Sequence, residues 1–258
     1  MTQGHPAGTI DSDRHVVQCH GEDTRSLIAN VARFLEAGFQ QGEGLLLIGT
    51  RARNESLLQQ LGHHGVDVAA ALQQARLVVL DAETTLERIL VDSRPDRDRF
   101  DAVVGGVVRR MHGQRPGAAV RAYGEMVGVL WKAWHFAATI QLEEHWNGLL
   151  AQERVRLFCG YPIDVFGLEF DAAMIHGVLC AHSRLMPAVE RLDQAIERAM
   201  DEVLGPEAAF HRAQITADQR WGIVPRAEAA VLWLRHNLPQ HAPAILDRAR
   251  EYCEPMAA

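Results

Sequence analysis

The chain has 258 residues, 48% hydrophobic and 23% charged, enough to bury one sizeable core of ordinary globular composition together with an appendage. A net charge of -7, a pI near 6.0 and no Lys/Arg run longer than two residues disfavour direct nucleic-acid binding, which relies on a cationic surface field. The apolar runs are strand-sized, far short of the roughly 20 residues that span a bilayer. Cys19, Cys159, Cys180 and Cys253 are scattered without CxxC spacing, and no secretory apolar segment precedes Asp11. These features predict a reduced, cytoplasmic protein with no membrane association.

Residues 1–14 are polar and aperiodic and predict a loose terminal arm. HVVQC (15–19) then reads as a strand, and Thr24 to Gln40 as a helix with Leu27, Ile28, Val31, Phe34 and Leu35 at helical spacing. GLLLIGT (44–50) is a buried-type strand, followed by a short helix from Asn54 to Gly62. RLVVLDA (76–82) is a third strand, with helices predicted over Glu83 to Val91 and Phe100 to Met111. AAVRAY (118–123) and VRLFCGY (155–161) complete the strands, separated by a helical region from Glu125 to about Leu150 that breaks near Trp134 to Phe136.

Strands alternating with helices predict an α/β domain over 15–168, a mostly parallel sheet with helices on both faces. From Asp171 onward no strand is expected. Ala172 to Arg184, Pro187 to Leu204, Pro206 to about Gln219, Pro225 to Leu238 and Pro243 to Cys253 read as helices, an all-helical C-terminal extension over 169–258.

In an open parallel sheet, ligands bind beyond the carboxyl ends of the strands. The first such end, CHGEDTRS (19–26), occupies the position of a phosphate loop but has one Gly, two consecutive acids and no Lys. Glu22 and Asp23 would repel phosphate there. The other strand ends present Thr50 and Arg51, Asp81, Glu125, and Tyr161. No GxSxG, HExxH or SxxK motif supplies a hydrolase nucleophile or metal, which leans against an enzyme.

Five blocks carry a family resemblance: FLEAGFQQGEGLLLIGT (34–50), LVVLDAETTL (77–86), VRAYGEMVGVLW (120–131), LEEHWNGLL (142–150) and FCGYPI (158–163). In this order they resemble the MEDS domain, the sensory domain of methanogens, methylotrophs and the dichloromethane-responsive repressor. IHGVLCAHSRLMP (175–187) resembles the segment that follows the domain in many relatives. The resemblance implies a RecA/KaiC-like α/β fold that has lost its phosphate loop and senses small hydrocarbon derivatives. It also implies signalling through a histidine kinase or a transcription regulator.

The candidate ligand-binding residues are His15, Cys19, His20, Asp81, Tyr123, Glu125, Trp131, Glu143, Trp146, Asn147 and Tyr161. Each has a plainer reading. Glu125 suits an N-terminal cap of the helix that follows it. The aromatic residues suit core packing as well as an apolar pocket with Glu125, Glu143 and Asn147 as polar handles. Glu143 and Asn147, four apart, could simply bond to each other. Cys19 and Cys159 suit buried small hydrophobes better than zinc ligands, and His176, Cys180 and His182 are discounted in the same way.

The leading expectation is a non-enzymatic sensor that binds a small organic ligand or a regulatory protein, with no cofactor and with a possible homodimer through the helical extension. One alternative is a nucleotide-binding protein using Arg25 or Arg51 for the phosphate of Mg·ATP and Glu125 or Asp81 for metal. The other is an interaction scaffold for a histidine kinase or anti-sigma-type regulator.

Overall fold

The computed structural model describes residues 14–218, 220 and 224–253. The arm expected over 1–14 therefore lies, Arg14 excepted, outside the described residues, as does Gln219. The elements in chain order begin with β1 (His15–Cys19), α1 (Arg25–Gln40), β2 (Gly44–Gly49), α2 (Arg51–His63), α3 (Val68–Gln73), β3 (Leu77–Asp81) and α4 (Ala82–Ile89). A small hairpin of β4 (Leu90–Val91) and β5 (Arg94–Pro95) follows. It ends the helix expected to reach Val91.

α5 (Arg97–Phe100) continues through a π-helical turn at Asp101–Gly105 into α6 (Gly106–Gln114). Then come β6 (Val120–Gly124), α7 (Met126–Lys132), α8 (Phe136–Gln152), β7 (Val155–Tyr161), α9 (Ala172–Leu179) and β8 (Arg184–Met186). α10 (Leu192–Leu204), α11 (Ala208–Ala217), α12 (Arg226–Asn237) and α13 (Ala242–Cys253) complete the chain. The break expected near Trp134 falls between α7 and α8, where Trp134 takes φ 62°.

β1, β2, β3, β6, β7 and β8 form one six-stranded sheet in the order β3-β2-β6-β7-β1-β8, and every pairing in it is parallel. The fold is therefore α/β, with a helical C-terminal region. The sixth strand corrects the expectation that strands end before Asp171. Arg184–Met186 is three residues long and pairs only at the edge, with β1, so it is too short to show a period of two. The helix expected to run to Arg184 accordingly stops at Leu179.

Alternation along each strand divides the interior into two layers. Val16, Leu45, Leu47, Tyr123 and Phe158 face α1 and α2, which return Leu27, Val31, Leu35, Leu57 and Leu61. Val17, Cys19, Leu46, Ile48, Ala122, Leu157, Cys159 and Tyr161 face the other way, into a larger core shared with α4, α6, α7, α8 and α9. This is why LLLI in β2 is apolar at every position: both faces are covered.

The C-terminal helices extend the second layer. Ile196, Val231, Leu232 and Ile245 belong to the same continuous core as the sheet. Polar ties fix them to the connection after β7, with Arg235 donating to the carbonyl of Gly167 (2.8 Å) and Arg250 pairing with Asp164 (2.9 Å). No helix among the described residues is long and apolar enough to cross a membrane.

Candidate functional site

The register of β1 on β7 sets His15 opposite Leu157, Val17 opposite Cys159 and Cys19 opposite Tyr161. With a period of two, the side chains of His15, Cys159 and Tyr161 all reach the face covered by α8. α8 lays Thr139, Glu143 and Asn147 along one line at i, i+4 spacing, and α9 closes the far side with Met174, Gly177 and Val178. Between them lies a cavity of about 370 Å³. Trp131, Phe136, Ile140 and Cys180 complete its mostly apolar wall, and Glu143, Asn147 and Tyr161 supply polar groups.

These polar groups are held in one network, buried at Glu143 and Tyr161 and reaching the surface at Asn147. The Tyr161 hydroxyl donates to Glu143 Oε1 at 2.6 Å. His15 Nδ1 lies 2.9 Å from Asn147 Oδ1, and Asn147 Nδ2 donates to the Ala181 carbonyl at 3.3 Å. Asn147 thus bonds to β1 and to the loop before β8, and the Glu143–Asn147 bond expected as the plainer reading is not among its contacts. His182 Nδ1 donates to the Val178 carbonyl at 2.7 Å, while its Nε2 stands 3.3 Å from Glu143 Oε1. The His15 and His182 rings sit 4.1 Å apart between centroids.

Burial, then the neighbouring His182, pushes the pKa of His15 down to about 4, so it is neutral at physiological pH. Glu143 is 3% exposed. Burial alone would raise its pKa, but the proximity of His182 and His15 and the bond from Tyr161 outweigh this, and its carboxyl falls below its ordinary value. Burial raises the Tyr161 hydroxyl and the Cys159 thiol well above their usual ranges, with Glu143 adding to both.

The remaining candidates lie elsewhere. Glu125 accepts from the Thr50 N–H (2.8 Å) and hydroxyl (3.1 Å) and from Arg53 Nε (3.2 Å). It makes no side-chain cap on α7, the helix that follows it, and instead holds the first residues of the helix after β2. His20 is buried nearby, with Nδ1 against the Gly21 carbonyl at 2.9 Å and its pKa lowered by burial. Asp81 caps α4 through the Thr84 N–H at 2.8 Å. Tyr123 is buried in the opposite layer, Cys19 is enclosed in the core, and Trp146 packs edge-on against Phe100 at 5.2 Å.

The turn after β1 borders a separate depression of about 440 Å³ lined by Gly21, Glu22, Asp23, Arg25, Asp164 and Arg250 among others. Its two cations are engaged: Arg25 pairs with Asp23 at 2.5 Å and Arg250 with Asp164.

Sequence reasoning grouped Trp131, Glu143, Asn147 and Tyr161 with Tyr123, Glu125, Trp134 and Trp146, and of these the first four line the cavity. It set aside His182 and Cys180, and it did not single out Phe136, Thr139, Ile140 or the α9 wall. A usable signal was present in α8, where Phe136, Ile140, Glu143 and Asn147 recur on one face at three- and four-residue intervals.

Fold and site together define an α/β domain built on a single parallel sheet, with a cavity between one face of the sheet and two helices. Residues 14–183 match the family described as MEDS, the MEthanogen/methylotroph, DcmR Sensory domain. The chain belongs to this family of sensory domains. The matched segment ends one residue before β8, so it includes α9 and His182 as well as β1, α8 and β7. A comparison with curated proteins returns no match.

Proposed function

We propose that this protein is a non-enzymatic cytoplasmic sensor that takes a small, largely apolar organic molecule into the cavity between α8, α9 and β7. The observation that carries this reading is the composition of that wall: apolar and aromatic side chains around a few fixed polar groups, in a volume suited to a small ligand. Trp131 stacks edge-on against Tyr161 at 5.4 Å, so an occupant contacting either ring also bears on the Tyr161–Glu143 bond. Occupancy is thereby coupled to β1 and to the segment before β8, through which a signal reaches a partner such as a histidine kinase or transcription regulator. Four free cysteines, none in a disulfide, support the reducing compartment.

The nucleotide alternative finds little support. The cations beside the first strand end are neutralised by Asp23 and Asp164, and Glu125 is committed to Thr50 and Arg53.

Gly177 provides a direct test, because a Cβ added there meets nothing within 4 Å and Gly177 lines the cavity. Gly177→Leu fills the space without a backbone clash. Ligand-observed NMR with short chloroalkanes, alcohols and aldehydes should show saturation transfer from the wild-type chain for at least one class, and its loss in the variant at undiminished thermal stability. Transfer from none of these classes, or transfer unchanged by Gly177→Leu, overturns the reading.

A further inference from the structure

Behind the polar wall of the cavity, four residues from four parts of the chain converge: His15 of β1, Glu143 of α8, Cys159 of β7 and His182 just before β8. One ligand atom from each lies within 4.8 Å of all the others. His15 Nε2 is 3.5 Å from Cys159 Sγ and 3.4 Å from Glu143 Oε2, and His182 Nε2 is 3.3 Å from Glu143 Oε1. Bonds of about 2.0–2.3 Å to a tetrahedral zinc ion set its ligand atoms roughly 3.3–3.8 Å apart. Three of the contacts already fall in that range.

The outer nitrogens decide what the inner ones offer. The Val178 carbonyl can only accept, so His182 Nδ1 carries a proton. Asn147 donates its amide to Ala181 and so turns its oxygen to His15, whose Nδ1 also carries a proton. Both Nε2 atoms are thereby aimed at one point, each fixed from behind by an acceptor, the arrangement that metal-ligating histidines show. Glu143 Oε2 and His182 Nε2 are buried there without a hydrogen-bond partner. Imidazole lone pairs facing a carboxylate inside a protein repel unless a cation lies between them.

The geometry points to a transition-metal site of the zinc class, held by His15 Nε2, Glu143, Cys159 Sγ and His182 Nε2. Two imidazoles and a thiolate select zinc or cobalt over magnesium or calcium, which take oxygen ligands. Binding releases the Cys159 thiol proton to solvent and leaves a dipositive ion matched by one thiolate and one carboxylate, so the buried site is neutral overall. The ion joins β1, α8, β7 and the α9–β8 connection through side chains. This inference does not depend on an organic occupant of the cavity. The competing occupant of the same point is a proton on His182, which would make it an imidazolium paired with Glu143.

Cobalt(II) distinguishes the two. The full chain, reduced and stripped with a chelator, is titrated with Co²⁺ and followed by absorption. A site of this kind gives a thiolate-to-cobalt charge-transfer band and intense tetrahedral visible bands that saturate at one equivalent and disappear on adding Zn²⁺. Cys180→Ser, which removes the exposed thiol beside His176, keeps both. Cys159→Ser loses the charge-transfer band, and His182→Asn weakens binding at least about tenfold. Absence of the charge-transfer band in the wild-type chain, or its survival in Cys159→Ser, overturns the assignment. If Cys159→Ser does not fold, His15→Gln and His182→Asn decide, and wild-type affinity in either overturns it equally.

Discussion

The hydroxyl of Tyr161 donates to Glu143 across 2.6 Å, joining the last residue of β7 to the middle of α8 in the wall of the cavity. Both partners are buried, so neither finds water if the other is lost. A hydrogen bond to a buried carboxylate is stronger than a neutral one, and its removal leaves the acceptor desolvated. Tyr161→Phe is expected to cost about 2 kcal/mol in urea unfolding, with an unchanged slope. A cost near zero would mean that Glu143 is satisfied by other groups.

Glu125 supports a helix start rather than the cavity. Replacing it with Ala removes the acceptor of Thr50 and the carboxylate partner of the largely buried Arg53, at an expected cost of about 3 kcal/mol. Glu125→Gln, which keeps an acceptor, should cost less. Because Glu125 is not part of the cavity wall, NMR of chloroalkane or alcohol probes should register neither change.

Glu228 of α12 makes stability depend on pH in the opposite sense from most carboxylates. Burial pushes its pKa up to about 7, although the Ala188 N–H, 2.6 Å from Oε1, pulls the other way. In the unfolded chain the group titrates near its ordinary value, so between that value and about 7 the native state holds the extra proton. Stability contributed by this group therefore falls as pH rises through that window and is fully lost above it, by about 3 kcal/mol at most. Glu228→Gln should be more stable than wild type at pH 8 and equal to it near pH 4, as read by chemical denaturation at both.

Gly128 in α7 lies against β7. A Cβ there would stand 2.6 Å from the Gly160 carbonyl oxygen and 3.2 Å from Pro162 Cδ. Alanine normally stabilises a helix by about 0.5–1 kcal/mol relative to glycine. Here the backbone contact cannot yield without moving α7 off the sheet, so Gly128→Ala is expected to lower stability by about 1–3 kcal/mol in thermal unfolding.

Much of the fold was legible because burial direction is a local property. HVVQC, GLLLIGT, RLVVLDA, AAVRAY and VRLFCGY each become strands of one sheet, and the intervening stretches become helices. β8 was not legible, since three residues at a sheet edge owe their conformation to pairing with β1. The hairpin at Leu90 to Pro95 escaped for a similar reason: its strands are two residues each and continue directly from α4.

The site divided along the same line. The i, i+4 spacing of Glu143 and Asn147 put both on one face of α8, and the strand pattern put Tyr161 at the end of β7; each was readable from neighbouring residues alone. What Asn147 bonds to was not readable, because its partners, His15 and Ala181, come from opposite ends of the matched segment. The sequence by itself determined an α/β chain with an aromatic, acidic segment between residues 123 and 161 and no lysine at its first strand turn. Only the tertiary structure decided that His15 and His182 meet over Glu143 and Cys159. Parallel register carries no local signature, and it is the pairing of β1 with both β7 and β8 that brings those distant side chains to one point.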